Sequence, residues 1–101
     1  MLNYVVLVGR LTKLSKIKNL ENGIQTNKII IATPRSYKNE NGEYDTDFIK
    51  IVLYSKLAEN TINYCNIGDL IGIKGHIQQD KNKTLKIIAD KVTFLAQKGK
   101  E

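Results

Sequence analysis

The one stretch of this chain with helical periodicity, Lys56 to about Asn66, stands between the third and fourth of five strand-like runs. Leu57, Ala58, Thr61, Ile62 and Cys65 recur at the three-and-four spacing that lines one side of a helix. Ser55 precedes them as an N-cap, and Gly68 follows as the C-terminal stop. A helix this short and one-sided plugs one end of a sheet, so the flanking runs must supply the core.

The first run, Leu2 to Leu11, is apolar on both faces through Tyr4-Val5-Val6-Leu7-Val8. A barrel interior covers only one of those faces, and a second subunit is the simplest cover for the other. A turn at Glu21-Asn22-Gly23 leads into the second run, Ile24 to Thr33, which Pro34 ends. Arg35 to Thr46 is then a polar loop around Asn41-Gly42 that carries Arg35, Tyr37, Lys38 and Tyr44. The third run is Asp47 to Tyr54. The fourth, Leu70 to Gln78, turns Ile71, Ile73, Gly75 and Ile77 inward and Lys74, His76 and Gln78 outward. After a turn over Asp80 to Lys83, the fifth run, Thr84 to Leu95, switches its apolar parity from Leu85 and Ile87 to Val92 and Phe94. A β-bulge near Ala89-Asp90 accounts for the switch. The order β-β-β-α-β-β predicts an all-β fold with one short helix, the five-stranded oligonucleotide/oligosaccharide-binding (OB) barrel. It occupies residues 1–96, and residues 97–101 form a short tail without an acidic tip.

Composition narrows the function. A length of 101 residues suits one domain with one core, and 42% hydrophobic residues suit a folded chain. Sixteen Lys and Arg against ten Asp and Glu leave a net charge of +6, which favours acidic partners. The run Tyr4 to Val8 is too short to span a bilayer and lacks the layout of a signal peptide, so a cytoplasmic protein with no membrane partner is expected. The single Cys65 excludes an internal disulfide and fits a small buried hydrophobe. His76 is the only histidine and Cys65 is far from it in sequence, so no His/Cys metal set forms and no cofactor is expected. Gly72 and Gly75 flank Lys74 in a strand, where they serve curvature rather than a phosphate cradle. Glu40, Glu43, Asp45 and Asp47 are scattered among lysines as solvated turn formers, so no enzyme is predicted.

Alternation within Asp47 to Lys56 divides the third run between two environments. Ile49, Ile51 and Leu53 form a core row, whereas Phe48, Lys50, Val52 and Tyr54 form an aromatic and basic outer row. Rings stack on bases while lysines neutralise phosphates, which suits a single-stranded polyanion. In the OB barrel, the second and third strands with their loops are the ligand surface. The outer row and the basic loop fall in those two places.

Four stretches in order, Leu2–Thr12, Ile31–Thr33 with Ser36-Tyr37-Lys38 and Asn41-Gly42-Glu43, Asp47–Glu59, and Gly68–Ile77, resemble the bacterial single-stranded DNA-binding protein family over nearly the whole chain. The resemblance implies sequence-tolerant binding of single-stranded DNA in DNA replication, recombination or repair. It implies stacking by Tyr37, Phe48 and Tyr54, with basic contacts from Lys38, Lys50 and Lys56. Arg10, Arg35 and Lys74 join them in steering the backbone. It also implies a homotetramer or dimer, whose interface would take Leu2, Tyr4, Val6 and Val8. Two departures stand out. The hairpin between the fourth and fifth strands is cut to Gln78–Lys83, where Lys81, Lys83 and Lys86 can contact phosphate but cannot stack. The acidic tip that recruits replication and repair enzymes in relatives is absent from Gly99-Lys100-Glu101. An alternative reading is a primosome-type accessory barrel that mainly bridges replication proteins. DNA and RNA are not distinguished, because rings and lysines serve both.

Overall fold

The computed structural model describes residues 1–99. Its elements in order are β1 (Val5–Leu14), β2 (Lys18–Asn19), β3 (Gln25–Lys38), β4 (Tyr44–Tyr54), α1 (Ser55–Tyr64), β5 (Leu70–Gln79) and β6 (Leu85–Ala96). Five of the strands close on themselves. β1 pairs antiparallel with β3 and β5, β3 with β4, and β5 with β6, while a short parallel contact of β4 with β6 completes the ring. Parallel neighbours need a crossover, and α1 with β5 provides it. This is the expected OB barrel. No helix among the described residues is long and apolar enough to cross a membrane.

The interior is filled by the β-branched and leucine residues that alternate along the strands. Leu11, Ile29, Ile31, Ile51, Leu53, Ile71 and Ile73 are at most 1% exposed. Burying each such side chain contributes on the order of 1.5–3 kcal/mol before entropy is counted. Ala58, Thr61 and Cys65 of the helical stretch are buried as predicted, and α1 packs on β3, β4 and β6. Burial raises the Cys65 thiol pKa, with Asp69 adding to the shift.

Several expectations about boundaries are corrected. β1 runs over 5–14 rather than 2–11, because Thr12 bulges out and lets Lys13 and Leu14 pair with β3. At the other end Asn3 takes the place of a strand partner: its Nδ2 donates to the Ile77 carbonyl at 2.7 Å and its Oδ1 accepts from the Ile77 N–H at 2.9 Å. β2 was not foreseen and adds two residues against Gln25 and Thr26. Pro34 does not end β3. It stands opposite Thr46, and the supposed loop 35–46 continues as a two-stranded ribbon to Lys38 and Tyr44. Ser55 is not the helix cap, since Tyr54 takes that position without a side-chain bond. The helix stops at Tyr64, and Gly68 donates instead to the Leu11 carbonyl at 2.7 Å. Ile77, expected inward, is 41% exposed beyond the end of the buried run. Of the expected tail 97–101, Lys100 and Glu101 lie outside the described residues.

The predicted bulge is present. Lys74 faces Lys91 while Gly75 faces Ala89, which leaves Asp90 as the extra residue of β6. A side chain at Gly75 would collide with the Ile88 carbonyl oxygen, so the strand tolerates only glycine at this crossing. The bulge turns Asp90 towards His76, whose Nδ1 lies 3.0 Å from Asp90 Oδ2 and whose Nε2 lies 3.3 Å from Gln78 Oε1. The bond to Asp90 is the main cause that raises the His76 pKa above its ordinary 6.5, and Gln78 adds to it. The resulting stabilisation is fully present below pH 6.5 and is lost as pH rises through the raised value. Because His76 is the only histidine, one imidazole resonance should titrate above 6.5, and Asp90→Asn should return its midpoint towards that value in an NMR titration.

Candidate nucleic-acid interface

Register decides which side chains share the outer face. Thr26 stands opposite Tyr54, Lys28 opposite Val52, Ile30 opposite Lys50 and Ala32 opposite Phe48. Opposed residues point to the same side of a sheet, so two lysines and two rings lie on one continuous surface. Phe48 is 68% exposed and Tyr54 38% exposed. Six residues of strand separate them, about 20 Å. The parallel approach of β6 brings Leu85 and Lys86 alongside. Between the strands opens a cleft of about 520 Å³ lined by Phe48, Lys50, Val52, Lys28, Leu85 and Lys86, among others. Its floor corrects one expectation: Val52 has the outer parity but is only 5% exposed, because it pairs with Ile88 where the barrel closes.

The cleft continues past Lys28 and Lys50 into a shallower trough of about 340 Å³ over Ile30, flanked by Lys13, Leu14 and Ser15. Ser15 pins this edge, its hydroxyl accepting the Lys28 N–H at 2.8 Å. At the other end Tyr54 shares a depression with Gln78, Asp80, Lys81, Lys86 and Ile88. Asp80 organises the β5–β6 turn by accepting the N–H groups of Asn82 at 2.8 Å and Thr84 at 3.0 Å. The bond from Thr84, more than the one from Asn82 or the nearby Lys86, keeps the Asp80 carboxyl below its ordinary pKa. Lys86 Nζ lies 3.6 Å from Asp80, which draws it to the mouth of the cleft.

The other expected contacts are dispersed. Arg35 is engaged at the ribbon: Nε and Nη2 donate to the two carboxylate oxygens of Asp47 at 3.1 and 2.9 Å, and Nη1 lies 3.7 Å from Asp45. The bidentate bond strengthens the charged form of both partners, raising Arg35 and lowering Asp47. Asp45 and Asp47 have the parity of the core row on β4, so Arg35 lies on the opposite face of the ribbon from Phe48. Tyr37, two residues on in the irregular stretch of β3, is exposed and close enough to Arg35 to favour its charged form further. Lys38 faces Tyr44, with its Nζ 5.8 Å from the ring centroid. Arg10 reaches the Gly68 carbonyl at 3.3 Å. Lys74 lies over the Tyr4 ring, 5.7 Å from its centroid, and pairs with Val6 and Lys91 on the outer wall of β1, β5 and β6. Lys56 is exposed on the first turn of α1, and Lys81 and Lys83 on the β5–β6 turn. Phe48, Lys50, Tyr54 and Lys86 are therefore brought together, with Lys81 beside Tyr54; Arg10, Arg35, Tyr37, Lys56 and Lys74 are not. Lys13, Lys28, Ile30 and Leu85 were missed. Their parity was readable, but the strand opposite each was not. Among the described residues, no three His, Cys, Asp or Glu side chains are grouped to hold a metal ion.

The outer wall of β1 bears out the reading of a doubly apolar strand. Val6 is 74% exposed, and Leu2, Tyr4, Val8 and Leu95 are exposed as well. Val6 and Val8 stand against Lys74 and Gly72, which with Thr93 and Lys91 extend the same wall onto β5 and β6.

Comparison with known proteins agrees with this architecture. Solved structures of similar fold include the SSB domain of a Synechococcus protein, with a TM-score of 0.73 at 12% identity over 92% of this chain and 96% of that one. Another is a deletion mutant of the single-stranded DNA binding protein from Thermus aquaticus, with a TM-score of 0.75 at 20% identity over 98% of this chain and 53% of that one. In sequence, the chain is 39% identical to single-stranded DNA-binding protein 2 of Staphylococcus aureus (strain Mu50 / ATCC 700699), over 98% of this chain and 76% of that protein. It is 36% identical to single-stranded DNA-binding protein B of Bacillus subtilis (strain 168), over 100% of this chain and 96% of that protein. The model of the single-strand binding protein family matches residues 2–95, and with these identities the chain belongs to that family.

Proposed function

We propose that the protein binds single-stranded DNA without sequence preference, through the outer face of β3 and β4, and that binding without catalysis is its whole activity. The carrying observation is the exposed row of Phe48, Lys50 and Tyr54 facing Lys28 across a cleft whose floor is Val52. A base stacked on Phe48 exchanges water-exposed ring area for contact, at on the order of 1–3 kcal/mol per base. Lys13, Lys28, Lys50 and Lys86 line the path and supply its positive charge. Arg35 acts here as a positioning residue that holds the ribbon through Asp47, while Lys56, Lys81 and Lys83 border the path at the Tyr54 end. The relatives' names favour strand binding over the accessory bridging role. Protection of single strands in replication, recombination or repair, in the cytoplasm, is the setting that such binding fits.

We also assign the apolar wall of Leu2, Tyr4, Val6 and Val8 to contact with a second copy of the chain, as a dimer or as half of a homotetramer. A row of exposed valines on a strand gains most by pairing with an equivalent row. Val6→Asp should shift the protein to monomer in light scattering while leaving the barrel folded. An unchanged mass would reject this wall as the interface.

Two measurements test the binding site. Phe48→Ala should weaken affinity for oligo-dT by about 5- to 150-fold, the equivalent of 1–3 kcal/mol, with the melting curve retained; wild-type affinity would remove Phe48 from the site. The slope of log affinity against log salt should be roughly −3, at about −0.7 per phosphate contact for the four lysines along the path. A flat response would eliminate the lysine roles.

A further inference from the structure

We propose that Tyr44 is a further base-stacking platform, which carries the row of Tyr54 and Phe48 off the barrel and along the β3–β4 ribbon. This rests on the single-strand binding function above. β4 runs unbroken from Tyr44 to Tyr54, so Tyr44, Phe48 and Tyr54 all have the same parity and face. The irregularity of the ribbon lies wholly on β3, where Arg35, Ser36 and Tyr37 oppose Asp45 alone between the pairs Pro34–Thr46 and Lys38–Tyr44. Tyr44 is 58% exposed, close to the exposure of Phe48. Four residues of strand, about 13 Å, separate the two, on the order of four bases at the 3.4 Å stacking rise.

The surroundings of Tyr44 repeat those of the other rings. Phe48 has Lys50 beside it in the cleft, and Tyr54 has Lys86. Tyr44 has Lys38, held 5.8 Å from its centroid. Each ring thus has at least one cation nearby able to take the phosphate next to a stacked base. The ribbon is also preorganised. Asn39 Oδ1 accepts the N–H groups of Asn41 at 2.9 Å and Glu43 at 3.0 Å, its Nδ2 donates to Asp45 at 3.1 Å, and its own N–H donates to the Glu43 carbonyl at 2.7 Å. Gly42, with φ +77°, closes the tip. Arg35 clamps the two strands below it through Asp47 and Asp45. A ring on so fixed a ribbon needs little ordering when a base arrives.

The chain contains no tryptophan, so Tyr44→Trp supplies a single reporter. Its emission should be quenched saturably by a long oligo-dT strand and not by duplex of the same length. Tyr44→Ala and Tyr44→Leu should each lose about 5- to 150-fold in affinity for the long strand, whereas Tyr44→Phe should keep wild-type affinity. Wild-type affinity in Tyr44→Ala, with the loss confined to Phe48→Ala, overturns the proposal while leaving the binding function intact. Equal losses in Tyr44→Leu and Tyr44→Phe overturn it too, since the second variant retains the ring. If the wild-type protein does not prefer the single strand over duplex, the binding function itself fails.

Discussion

The pairing of β3 with β4 is the constraint on which the rest depends. It runs from Thr26–Tyr54 to Pro34–Thr46 without a slip, and it simultaneously seals Ile29 and Ile31 against Ile51 and Ile49 and leaves Lys28 and Ile30 beside Val52 and Lys50. A shift of one residue would exchange these rows, putting lysines into the core and isoleucines into water. Core packing therefore enforces the register, and the register composes the aromatic and basic outer face. The same free energy that closes the barrel fixes which side chains share that face.

Irregularities in the sheet then aim the remaining side chains. The extra residue at Thr12 lets β1 pass from β5 to β3 and carries Lys13 to the edge of the trough. The extra residue at Asp90 bends β6 so that its first part lies along β4, bringing Leu85 and Lys86 to the cleft, while its second part follows β5. In the ribbon, the surplus on β3 leaves β4 straight, so the outer row of β4 continues past the barrel rim. Each bulge changes what one strand presents without disturbing its neighbour.

The charges illustrate why proximity in sequence is a poor guide to a shared role. Arg35 and Lys38 are three residues apart, yet one is bound to Asp47 and the other rests by Tyr44. Lys50 and Lys74 both alternate outward from a core strand, but on different strands separated by β6. Net positive charge is a property of the whole surface, and the closed sheet decides which lysines, such as Lys28, Lys50 and Lys86, share one cleft and which, such as Lys74, stand elsewhere.

Alternation and spacing alone determined the barrel, the order of its five long strands and helix, the buried row of Ile49, Ile51 and Leu53, the outer row of Phe48 and Tyr54, the apolar outer face of β1 and the bulge near Asp90. These are local consequences of period-two geometry, in which each residue's side is set by its neighbours along the chain. Only the tertiary structure decided which rows oppose one another, and hence that Lys28, Lys13 and Leu85 line the cleft and trough beside Phe48 and Lys50 while Lys74 and Arg10 lie elsewhere. It also decided that Pro34 stays within a strand and that the polar segment after it is a paired ribbon, because cross-strand hydrogen bonds and the Arg35–Asp47 pair override a breaker signal that acts on one residue at a time.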